Sequence, residues 1–180
     1  MQHGTPGAKL RRDDAMLYLH HQPGSYHHQT QRLLEAADGY LFLGMAKDAL
    51  AELDFVPKDD QCQAMVLIAR TRVLLHLRKW EAAEKLASKG TSTHPDHEEF
   101  TVQRAFALHQ MKRGDAAMNV ILEAPEWLRK TGILHYNLAC YEAQLGDKKT
   151  ARQCIKVACQ MNTAMKKNAA VDPDLRELWN

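Results

Sequence analysis

Residues 132–162 read GILHYNLACYEAQLGDKKTARQCIKVACQMN, and this stretch decides the fold. Small and apolar residues recur at helical intervals on both sides of Gly146-Asp147: Leu138, Ala139 and Leu145 before it, Ala151, Ile155 and Ala158 after it. Three- and four-residue spacing is the signature of an amphipathic helix, and a glycine after the last apolar residue is a helix stop. The stretch therefore predicts a helix ending near Leu145, a turn at Gly146-Asp147 and a second helix from about Lys148 to Met161.

Working outward, Ala151 is the last member of a series. Ala49, Ala83, Ala117 and Ala151 stand 34 residues apart. Three further columns keep the same period: Ala37, Thr71, Ala105 and Ala139 upstream; Val56, Gly90, Ala124 and Ala158 downstream; and Leu43, Leu77, Met111 and Leu145 before the turn. The chain divides into units 30–63, 64–97, 98–131 and 132–165, each a pair of helices. Gly44-Met45, Arg78-Lys79 and Lys112-Arg113-Gly114 are the equivalent turns. Pro57, Pro95 and Pro125 fall near or beyond the ends of the second helices, where a missing N–H costs little. With no alternating β-rich run, the class is all-α.

The small columns have a physical reason. Antiparallel helices joined by a short turn cross closely, and alanine on the facing surfaces lets ridges settle into grooves. One pair cannot bury its apolar faces alone, so four stacked pairs are expected to build one continuous core.

These residues resemble the tetratricopeptide repeat family. The fourth unit carries the likeness best, through NLACYEAQLGD with Leu138-Ala139, Gly146-Asp147, Ala151, Ile155 and Ala158; the second carries it through RKWEAAEKLASKG, Trp80 and Pro95. The resemblance spans residues 30–165. It implies a right-handed superhelical array of about four helix-turn-helix units closed by a C-terminal capping helix, with the first helices lining a concave groove that holds a peptide.

Transferred position by position, the resemblance assigns the groove to Leu34, Asp38 and Phe42 of the first unit, Ile68, Arg72 and His76 of the second, Val102, Phe106 and His109 of the third, and Tyr136 and Asn137 of the fourth. Such a lining is aliphatic and aromatic with sparse charge. Only Asn137 and Arg72 suit the clamping of a terminal carboxylate, and the lining fits an amphipathic or extended apolar partner segment instead. The implied function is a non-catalytic scaffold, adaptor or chaperone with a protein or peptide partner; bacterial secretion chaperones of this fold use grooves of this kind.

The ends lie outside the repeat register. Residues 1–29 form an arm with Gly4, Pro6, Gly7, Pro23 and Gly24 and one short helical candidate, Asp13 to His20. In residues 166–180, Asp172 can cap a helix with Pro173 in its first turn, so that Leu175, Leu178 and Trp179 cover the last repeat.

Composition sets the remaining bounds. A chain of 180 residues, 45% hydrophobic and 26% charged, suits one domain or one array, and its net charge of +2 selects no partner class. Cys62, Cys140, Cys154 and Cys159 have no C-x-x-C spacing and read as small buried hydrophobes of a reducing compartment. No signal-like or membrane-spanning apolar run occurs, so a cytoplasmic location without membrane insertion is expected. Ten histidines include His20-His21 with His27-His28, and His94 with His97, yet no Cys/His grouping has structural-zinc spacing. Neither a metal nor a cofactor is implied. No serine sits in a nucleophile turn, no glycine-rich loop precedes a lysine, and Asp59-Asp60 and Glu98-Glu99 suit helix N-termini. Lys148, Lys149, Arg152 and Lys156 cluster on one helix and motivate the alternative reading, a nucleic-acid binder using a basic convex face.

Overall fold

The computed structural model describes residues 28–179. Residues 1–27, with the expected helix from Asp13 to His20 and all but His28 of the grouping His20-His21 with His27-His28, lie outside the described residues. Within them the chain is helical and has no strand.

Four helix pairs follow one another: α1 (His28–Phe42) with α2 (Ala46–Asp54), α3 (Ala64–His76) with α4 (Trp80–Thr93), α5 (Glu98–Gln110) with α6 (Gly114–Leu122), and α8 (Gly132–Leu145) with α9 (Lys148–Met161). A short α7 (Glu126–Arg129) sits between the third and fourth pairs, entered through Pro125. The second helices begin at Ala46, Trp80, Gly114 and Lys148, so the sequence period is also the structural one. α9 starts and ends at the expected residues.

The turns repeat with the helices. Gly44, Arg78, Lys112 and Gly146 occupy the same place in successive units, and all four have left-handed backbone, with φ of 76°, 56°, 62° and 92°. Each turn closes with the same six-residue hydrogen bond: Met45 N donates to Tyr40 O at 2.8 Å, Lys79 N to Leu74 O at 2.9 Å, Arg113 N to Leu108 O at 3.0 Å, and Asp147 N to Glu142 O at 2.9 Å. This closure satisfies carbonyls that a helix C-terminus otherwise leaves open. Two units make the left-handed turn without glycine, at Arg78 and Lys112, where the 34-residue period places turns.

The alanine columns lie at the helix crossings. Ala49, Ala83, Ala117 and Ala151 are fully buried, as are Ala105 and Ala139 and, in the same column, Thr71. Gly90 is buried in the downstream column, where α4 meets Phe100 of α5.

The core departs from the expected single continuous mass. One cluster gathers Ala37, Ala49, Leu53, Val56, Val66, Ala69 and Val73; a larger one runs from Ala105 and Leu108 through Tyr141 and Ile155 to Leu178. Between them lie two small clusters, around Leu67, Ile68 and Phe100 and around Leu75, Ala83 and Ala107. Polar side chains interrupt the seam. Arg104 Nε donates to Glu84 at 3.0 Å, and Gln103 Nε2 donates to the Ile68 carbonyl at 3.2 Å.

The cap is a five-residue helix, α10 (Met165–Ala169), followed by a 3-10 segment, Pro173–Leu178. Asp172 caps that segment by accepting the Asp174 N–H at 3.0 Å, with Pro173 in the first turn. Leu175 and Leu178 are buried against the last pair, as expected; the Trp179 ring stays half exposed while its Nε1 donates to Ala169 O at 3.1 Å.

Candidate functional site

Each first helix packs against the next, so α1, α3, α5 and α8 form a continuous row. The 34-residue register sets the assigned residues in columns along it. One column is Leu34, Ile68, Val102 and Tyr136; a second is Asp38, Arg72, Phe106 and Cys140; a third is Phe42, His76, Gln110 and Gln144.

In the N-terminal half, Leu34 is half-buried against the first cluster, and Ile68 is buried among Ala64, Leu67 and Phe100. Ile68 therefore serves packing rather than an open lining. Arg72 donates to Asp38 on the preceding unit, which ties the two first helices together. Burial raises the Asp38 pKa, and it outweighs the opposing pull of the Arg72 guanidinium. Arg72 Nε and Gln103 Oε1 are buried with no hydrogen-bond partner among the described residues. Phe42 and His76 are exposed at the C-terminal ends of α1 and α3.

In the third unit, Val102 is half-buried against the large cluster. The Phe106 ring stands edge-on to Trp80, with centroids 6.2 Å apart and planes at 77°. His109 is buried, stacked on Tyr141 at 4.5 Å, with Nε2 3.9 Å from Asp174. Burial lowers the His109 pKa, so the ring favours its neutral form.

The fourth unit turns its three columns toward the chain's own C-terminal segment. Tyr136 Oη donates to Asp172 at 2.8 Å, and Gln144 Nε2 donates to Asp174 at 2.7 Å. Cys140, between them, is buried, and its Sγ lies within 4.8 Å of carboxylate oxygens of both aspartates. Asn137 Nδ2 and Tyr141 Oη are buried and have no hydrogen-bond partner among the described residues. Burial pushes the Cys140 thiol and the Tyr141 phenol well up. The sequence reading treated Asp172 as a cap alone and did not place Asp174; a D-P-D run is the only local signal, and helix capping already accounts for it.

The basic helix is partly committed elsewhere. Lys148 pairs with Glu177 at 3.0 Å, and Arg152 donates from Nε and Nη2 to Leu178 O at 3.2 and 3.0 Å. Lys149 and Lys156 are exposed. His94 is engaged too: its Nε2 lies 2.9 Å from Cys62 O, and its ring stacks on Phe100. Among the described residues, no helix is long and apolar enough to cross a membrane.

No family model matches the chain, and no curated protein matches it. Solved structures do. MamA AMB-1 superposes with a TM-score of 0.56 at 19% identity, covering 72% of this chain and 76% of that one. MamA MSR-1 gives 0.58 at 19% identity, covering 74% and 76%. A mutant MamA gives 0.56 at 14% identity, covering 83% and 95%. At these identities the likeness speaks for architecture, and the architecture is a tetratricopeptide-like helical repeat.

Proposed function

We propose that the chain is a non-catalytic protein-interaction module that takes an extended segment of a partner protein along the face of its first helices. The observation that carries this reading is the behaviour of α8, whose columns hold a peptide already: the chain's own Asp172–Asp174, engaged through Tyr136 and Gln144. The same columns continue through α5, α3 and α1 as Phe106, Gln110, Arg72, His76, Asp38 and Phe42. Half-buried apolar groups beside fixed polar ones are the usual chemistry of such surfaces. The nucleic-acid reading draws less support, because Lys148 and Arg152 are held by the cap and the basic face is reduced to Lys149, Lys156 and their neighbours.

Selection from a displayed random-peptide library, followed by titration of the selected peptides, tests the reading. Phe42→Ala and Phe106→Ala should each weaken binding by about 2 kcal/mol, as loss of aromatic anchors does, with circular dichroism confirming the fold. Lys149→Glu with Lys156→Glu should leave affinity and its weak salt dependence unchanged. Oligonucleotide binding that falls steeply with salt and is lost in the lysine variants would move the function to the basic face.

A further inference from the structure

We propose that Cys140, Asp172 and Asp174, with His109 as fourth ligand, form a site for a zinc-class divalent cation that clips the C-terminal segment onto α5 and α8. Three ligand-type atoms from two distant parts of the chain, one thiol and two carboxylates, already lie within 4.8 Å of one another. A tetrahedral zinc centre, with bonds of about 2.3 Å to sulfur and about 2.0–2.2 Å to oxygen, sets its ligand atoms about 3.3–3.8 Å apart. The contraction required is within the reach of side-chain rotation. His109 Nε2 stands 3.9 Å from Asp174 Oδ2, beside the trio rather than within it, and a turn of its side chain is needed for it to join as fourth ligand.

The surroundings fit a cation better than its absence. Among the described residues, neither Asp172 nor Asp174 has a lysine or arginine salt-bridge partner, so two carboxylates face a buried thiol with neutral donors, Tyr136, Gln144 and the Asp174 N–H, to offset them. Tyr141 supplies an independent sign. Its side chain is 2% exposed, its hydroxyl has no hydrogen-bond partner among the described residues, and its ring stacks on His109 at 4.5 Å. An orphaned phenol at this depth is costly, and a coordinated thiolate or a metal-bound water gives it an acceptor. The donor hydrogen bonds from Tyr136 and Gln144 to the aspartates are the outer-shell contacts that orient carboxylate ligands. One thiolate, one imidazole and two carboxylates favour zinc over magnesium or calcium, which take oxygen ligands. On binding, the Cys140 thiol loses its proton to solvent and the sulfur lone pair bonds to the metal; no redox change occurs.

The test uses the full chain, stripped with a chelator and titrated with cobalt(II). The expected result is one cobalt per chain with a thiolate-to-cobalt charge-transfer band and the visible absorption of a tetrahedral ion, both displaced by zinc. Cys140→Ser should abolish the charge-transfer band, Asp174→Asn should weaken binding by about tenfold or more, and Cys154→Ser should change neither. Zinc should also slow tryptic cleavage after Arg176, inside the clipped segment. If Cys140→Ser does not fold by circular dichroism, the double variant Asp172→Asn with Asp174→Asn makes the same measurement. No thiolate band at millimolar cobalt, a band that survives Cys140→Ser, or cobalt bound with a histidine-only spectrum would each overturn the site.

Discussion

Gly90 on α4 rests against the ring of Phe100 on α5 so closely that a Cβ on the glycine would stand 2.2 Å from Phe100 Cδ1. The ring is fully buried and has no route outward, so the clash cannot be relieved at the surface. Gly90→Ala should therefore destabilise the protein by about 1–3 kcal/mol through overpacking. Urea unfolding measures it, and Phe100→Leu in the same chain should recover part of the loss. An unchanged midpoint would mean that α4 and α5 are not this close.

Lys112 makes a left-handed turn, φ 62°, in the place where Gly44 and Gly146 make theirs. A β-carbon in that region carries strain that glycine avoids. Lys112→Gly should raise stability by about 1 kcal/mol, and Gly146→Ala should lower it by a similar amount. Thermal melting of the two variants checks the pair, and shifts in the same direction would refute it.

Asp147 caps α9: its carboxylate accepts the Thr150 N–H at 3.0 Å and the Thr150 hydroxyl at 2.7 Å. The backbone hydrogen bond, then the hydroxyl, holds its pKa below the ordinary aspartate value. A carboxyl depressed in the folded state stabilises that state above its unfolded pKa, and the benefit disappears as pH falls through the folded one. The Thr150 amide resonance should accordingly titrate with a midpoint below the ordinary aspartate value. A midpoint at or above that value would show that the cap is not formed.

The helix pairs were legible because close crossings tolerate so few side chains. Ala49, Ala83, Ala117 and Ala151 announce the crossings in the sequence, and all four are fully buried. The turns at Arg78 and Lys112 were legible from the period, but their left-handed backbone was not, because the six-residue hydrogen bond that holds each of them belongs to the backbone and leaves no mark on residue type. The same holds for α7, a single turn after Pro125 that buries Leu128.

The groove columns followed from the period, whereas their contents depended on tertiary contacts. Ile68 and His109 were assigned to an open lining, but Phe100 closes over the first and Tyr141 stacks on the second. Tyr136 was placed on the row, yet nothing in its neighbourhood in sequence points to Asp172, thirty-six residues onward. A residue's column can be counted along the chain; what crosses that column from elsewhere cannot.

The interruption of the core at α4 and α5 bears on how the molecule carries load. Two substantial apolar clusters are joined through smaller ones and a polar seam formed by Arg104, Glu84 and Gln103. Under such load one end of the array can open while the other stays packed, as stacked repeats do. The helix pairs repeat four times, whereas the apolar core beneath them is unevenly divided, with its largest share at the C-terminal end.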